Sequence, residues 1–112
     1  VTAEAELGRR LRLGQLADEG GVFALAAADH RDALRTAYVR AGLEPPSDEA
    51  IRELKTLIVR ELAPHVTGLL LDFEWGAAAL AEGAVGPCPV VLPLEAQGYG
   101  DAAGGRRTTL IE

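Results

Sequence analysis

"GVFALAAADHRDAL", residues 21–34, decides the fold. Val22 to Ala28 is an uninterrupted apolar run of strand length. It stops abruptly at Asp29-His30-Arg31, and a helix-like pattern follows. Strands of parallel sheets, covered on both faces, read as continuous apolar runs, whereas half-exposed antiparallel strands alternate. An acid, an imidazole and a guanidinium at the end of such a strand either cap the next helix or floor an active site.

The same motif recurs twice. "TGLLLDFEWG" (67–76) is a second apolar run closed by Asp72 and Glu74, and "CPVVLPLEAQGYG" (88–100) is a third, closed by Glu95. Helical segments separate the three. Residues 3–17 place Leu7, Leu11 and Leu13 or Leu16 on one side. A second helix is expected from Asp32 to Ala41, stopped by Gly42. The prolines of "EPPS" forbid helix, but Ser47 is a good N-cap with Asp48 and Glu49 in the first turn. Ile51, Leu54, Ile58 and Leu62 then recur at spacings of three and four up to Pro64, which predicts an amphipathic helix. "AAALAEG" (77–83) is a short helix ended by glycine, and "GYGDAAGGRRTT" (98–109) reads as a glycine-rich loop. Apolar strands alternating with helices predict an α/β fold with a parallel sheet.

The bulk properties narrow the function. The chain has 112 residues, the size of one modest domain, and 48% are hydrophobic, enough for a packed core. A net charge of −6 argues against a general nucleic-acid binder, whose footprint is basic. A small anionic substrate needs only a local cationic pocket. The single cysteine, Cys88, between two prolines, excludes an intramolecular disulfide framework. No apolar run approaches the roughly 18–20 residues that span a bilayer, and the charged start "VTAEAELGRRLRLGQL" does not resemble a signal peptide. A cytoplasmic protein without membrane or nucleic-acid partners is expected.

In a parallel sheet or barrel the C-terminal strand ends share one face, so Asp29, Glu74 (or Asp72) and Glu95 can converge there. Like charges held close together favour the proton transfers that catalysis needs. The structural alternative is that Asp29 or Asp72 only caps the following helix. His30 and His65 with these acids suggest a metal site, but no tight ligand spacing supports one. Arg31 suits either a phosphate or a neighbouring acid. "GGRR" (104–107) lacks the order of a phosphate-binding P-loop.

Three stretches carry a resemblance: "LADEGGVFALAAADHRDALR" (16–35), "PPSDEAIRELKTLIVRELAPHVTGLLLDFEWG" (45–76) and "PLEAQGYGDAAGGR" (93–106). In order and spacing they resemble the N-terminal part of the class I aldolases of the tagatose-bisphosphate and sulfofructosephosphate group. That family shows an "ALAxDQR"-like first strand, a "PSDEDI" helix start, an "LLDPEYG"-like second strand end and an "EKTGYD"-like third. The resemblance implies a (β/α)8 TIM barrel, of which this chain holds about the first three strands, as one incomplete domain over residues 1–112. It also implies cytoplasmic sugar-phosphate chemistry without a cofactor. A lysine forms a Schiff base with the ketose carbonyl, acids shuttle protons, and cleavage gives dihydroxyacetone phosphate and an aldehyde.

By that correspondence Asp29, Glu74 and Glu95 are the catalytic acids, and His30, Arg31 and Asp72 bind substrate. His30 stands where the tagatose enzymes have Gln, and Phe73 and Trp75 replace the Pro and Tyr of the second strand end. The family's Schiff-base lysine lies on a later strand. Ten of the eleven basic residues here are arginine, and Lys55, the one lysine, falls in the middle of the amphipathic helix, on the outer layer of the expected barrel. The chain alone is therefore expected to lack aldolase activity, to leave a sheet edge open, and to self-associate or meet a completing half-barrel. Two other classes follow from the same residues. One is a sugar-phosphate-binding or interaction module relying on Arg31, Arg106 and Arg107; the other is a small metal-dependent enzyme using Asp29, His30 and Glu74.

Overall fold

A computed structural model describes residues 1–96, 100–102, 105–107 and 110. The elements follow the order α1 (Ala3–Gln15), β1 (Leu25–Ala28), α2 (Asp32–Arg40), α3 (Asp48–Leu62), a 3-10 turn (Ala63–His65), β2 (Gly68–Leu71), α4 (Gly76–Ala81), β3 (Val90–Val91), β4 (Gly100–Ala102) and β5 (Gly105–Arg107). β1, β2 and β3 form an open three-stranded sheet in that order, and both pairings are parallel. Ala28 lies opposite Leu71 and Leu70 opposite Val91, so the three strands end on one side. The expected α/β organisation is present.

Local chemistry sets the boundaries. Ser47 Oγ accepts the Ala50 N–H at 3.1 Å and starts α3, and Thr2 does the same for α1 through Ala5. Gly42 (φ +73°) and Gly83 (φ +70°) take the left-handed conformation just beyond α2 and α4, which other residues adopt only at a cost. β1 begins three residues later than the apolar run, at Leu25. The pairing is extended upstream by Thr67, which donates its N–H to the Ala24 carbonyl and accepts the Ala24 N–H on its hydroxyl, both at 2.8 Å.

The core lies on one face of the sheet. Val59 of α3, Leu69 and Leu71 of β2 and Ala79 of α4 are fully buried, with Ala28 and Ala63 beside them. Alternation along a strand sends Ala26 and Ala28 towards the helices and Leu25 and Ala27 away from them; the first pair is covered and the second exposed. The expectation of strands buried on both faces is thus corrected, because α3 and α4 cover one face only. Val22, Phe23, Leu25 and Leu94 are all at least half exposed. The apolar stripe of α1 also finds no cover: Leu7, Leu11 and Leu13 are exposed.

A second correction concerns the glycine-rich segment. Part of it forms an antiparallel ladder in which Gly100 faces Arg107, Asp101 faces Arg106 and Ala102 faces Gly105. Its residues carry no apolar alternation, the signal by which a hairpin is recognised in sequence. The rest of this stretch, residues 97–99, 103–104, 108–109 and 111–112, lies outside the described residues.

Candidate functional site

The parallel register brings the segments after β1, β2 and β3 to one end of the sheet. Neighbouring strands lie about 4.8 Å apart, so residues separated by more than sixty positions become neighbours. Arg31, after β1, donates from Nη2 to the Glu95 carbonyl, after β3, at 3.4 Å. Asp29 is half-buried, while His30, Glu74 and Glu95 are exposed. Glu95 also forms an isolated antiparallel bridge with Leu110. Asp29, His30, Arg31, Glu74 and Glu95 therefore all follow strand ends on the same side of the sheet.

The two acids whose sequence position also suits a helix cap divide. At α2 the N-cap position is Arg31, and no side-chain bond caps the helix. Asp72 does act as a local cap: Oδ2 accepts the Trp75 N–H at 2.6 Å, closing the turn into α4. Its other oxygen, Oδ1, accepts from Lys55 Nζ at 2.8 Å. Asp72 is 1% exposed, so both oxygens face protein donors rather than the open strand-end surface.

Lys55 is the residue whose burial sequence reasoning missed. It lies on α3, in the helix layer as expected, but its side chain is 1% exposed, buried between α3 and the sheet. Its ammonium also donates to the Ala28 carbonyl. The signal was present: Ile51, Lys55 and Val59 recur at intervals of four, and all three are buried. The unbranched stem carries the ammonium through the apolar layer to the strand ends.

Trp75 is held firmly. It is 4% exposed, and the guanidinium carbons of Arg35 and Arg52 lie 5.2 and 5.3 Å from its ring centroid. Arg35 is itself paired with Asp48.

A small cavity of about 170 Å3 lies between β1, α2 and α3, lined by Ala27, Ala28, His30, Leu34, Lys55 and Ile58. Drug-sized ligand pockets are usually about 300–1,000 Å3, so this cavity is too small to hold a sugar bisphosphate. A wider one, about 650 Å3, is lined by Arg60, Thr67, Glu82, Val85, Cys88 and Pro89. Thr67 and Pro89 precede β2 and β3, which puts it at the sheet end opposite the acids. Burial pushes the Cys88 thiol above its ordinary pKa, which disfavours the nucleophilic thiolate. Among the described residues no group of three His, Cys, Asp or Glu side chains is arranged to hold a metal ion. No helix among them is long and apolar enough to cross a membrane. Arg106 and Arg107 lie in β5.

No protein-family model matches the chain. Among curated proteins it is similar to the tagatose 1,6-diphosphate aldolase of Staphylococcus haemolyticus, 35% identical over 92 residues, which are 82% of this chain and 28% of that protein. It is 38% identical over 71 residues to the enzyme of the same name from Streptococcus pneumoniae serotype 4, covering 63% of this chain and 22% of the relative. Tagatose 1,6-diphosphate aldolase 1 of Streptococcus mutans is 34% identical over a stretch of the same length. The matched region spans about a quarter of the length of these relatives.

Proposed function

Because the chain is a tagatose-bisphosphate aldolase-like segment, we propose that it forms the opening three strands of a (β/α)8 barrel of the class I aldolase type. The barrel cleaves a ketose bisphosphate, such as tagatose bisphosphate, to dihydroxyacetone phosphate and an aldehyde in the cytoplasm. Residues 1–112 are one incomplete domain of it. Asp29, Glu74 and Glu95 are the acids that move protons during cleavage. Arg31 and His30 bind the phosphate and hydroxyl groups of the substrate, and Asp72 supports the second strand end from beneath. No cofactor is needed, since Schiff-base chemistry draws its electron sink from a lysine.

One observation supports this reading: the three strands are parallel, so the segments that carry Asp29, Glu74 and Glu95 leave the sheet at its C-terminal end, where barrel enzymes place their chemistry. The lysine must come from outside these residues. Lys55 is ion-paired and enclosed, whereas a Schiff-base nucleophile needs a free amine facing the substrate. The purified chain should therefore leave tagatose bisphosphate intact. A polypeptide that adds the remaining strands should cleave it, and Asp29→Ala in that longer protein should abolish cleavage. Cleavage by the chain alone, or an Asp29→Ala protein of full activity, contradicts the assignment.

The uncovered sheet face supports a second reading, in which another chain or a second copy covers Val22, Phe23 and Leu25. Sedimentation showing only compact monomer at all concentrations would remove it.

A further inference from the structure

Lys55 touches neither Asp29 nor Glu74, yet it holds the backbone on which both are carried. Its ammonium donates to the carbonyl of Ala28, the residue immediately before Asp29. The same ammonium donates at 2.8 Å to Asp72 Oδ1, and Asp72 Oδ2 accepts at 2.6 Å from the N–H of Trp75, the residue immediately after Glu74. One cation on α3 thus ties the end of β1 to the end of β2. We propose that Lys55 is a positioning residue of the aldolase site, setting the relative placement of Asp29 and Glu74 through Ala28 and Asp72. The proposal rests on the aldolase reading of the strand ends.

Burial energetics favour this role over a purely stabilising one. The site of Lys55, between Ile51 and Val59 on the buried stripe of α3, would accept Leu or Met without removing any charge from water. Buried ion pairs are commonly no more stabilising than apolar residues of the same volume. What the pair adds is direction. Three ammonium hydrogens and two carboxylate oxygens specify where two strand ends lie, and an apolar contact does not. The far side of the Asp72 cap is also held, because the guanidinium carbons of Arg35 and Arg52 both lie over the Trp75 ring. A displacement of about 1 Å between reacting groups can cost on the order of a hundredfold in rate.

The test uses the double variant Lys55→Met/Asp72→Asn, which removes both charges, keeps the volumes, and leaves a side-chain oxygen to accept the Trp75 N–H. Lys55→Met alone strands a buried carboxylate and is the control for misfolding. In the cleaving protein the double variant should lower kcat by about tenfold or more while KM moves by less than about threefold, the split expected when reacting groups are misplaced and substrate binding is intact. In the chain itself, amide hydrogen exchange should quicken by about tenfold at Asp29–Arg31 and Glu74–Trp75, with the amides of α3 unchanged. A double variant with unaltered kcat, or with unaltered exchange at both strand ends, overturns the proposal. If no form of the protein cleaves a ketose bisphosphate, the functional reading fails and the exchange measurement alone decides the role of Lys55.

Discussion

Lys55 Nζ lies 2.8 Å from Asp72 Oδ1, and each side chain is 1% exposed. Removing one partner leaves the other charged in a low-dielectric layer, which in buried pairs costs about 3–5 kcal/mol. Lys55→Met should therefore lower the stability of the chain by that order. Adding Asp72→Asn should restore most of the loss, because the stranded charge is gone. Chemical denaturation of the two single variants and the double variant gives the coupling directly.

Leu69 of β2 is fully buried between Val59, Ala79 and the neighbouring strands. Leu69→Ala takes that packing away and leaves a cavity, at a cost of about 2–5 kcal/mol. Leu25→Ala, on the uncovered face where Leu25 is 51% exposed, should cost much less. Urea midpoints for the two variants test whether the core lies on the helix side of the sheet.

Trp75 is the only tryptophan, so its fluorescence reports on the second strand end alone. Arg52→Gln removes one of its two guanidinium neighbours and should cost about 0.5–1 kcal/mol. Acrylamide quenching of Trp75 should rise in that variant. The partly exposed Arg52–Glu49 ion pair adds little to the loss, since surface pairs are weak.

Cys88 gives a pH signature. Burial raises its thiol pKa above the ordinary value of 9.0, so the unfolded chain loses this proton first as pH rises. The contribution of Cys88 is thus fully present below the ordinary thiol range and is lost as pH climbs through the raised value. The stability difference between the wild-type chain and Cys88→Ala should shrink steadily with increasing alkalinity. A difference that grows in that range would mean the thiolate, not the thiol, is the form the fold prefers.

Much of this architecture is written in the sequence because local signals and tertiary packing agree. Ser47 caps α3 as its position before Asp48 and Glu49 suggests, and Gly42 and Gly83 follow α2 and α4 in the conformation that suits glycine. The apolar runs mark β1, β2 and β3, although they overstate coverage, since composition does not say which face a helix lies against. The candidate acids were legible as a group because each closes a strand. Whether Asp29 or Asp72 was merely a cap was not legible, because that depends on which donor each carboxylate meets. The burial of Lys55 was missed for a related reason. Its place in the helix layer was legible, but its spacing of four from Ile51 and Val59, which turns it toward the core, was not weighed. The partner that reconciles its charge with burial, Asp72, lies 17 positions away and is brought close only by the fold.

On the proposed function, the strand-end surface around Asp29, Arg31, Glu74 and Glu95 recognises a sugar phosphate. The direct test is a titration of the isotopically labelled chain with tagatose 1,6-bisphosphate, followed by amide chemical shifts. Saturable changes confined to Asp29–Arg31, Glu74 and Glu95, and lost in Arg31→Ala, are the predicted result. No change at these residues, or changes centred instead on Thr67, Cys88 and Pro89 at the opposite end of the sheet, would contradict it.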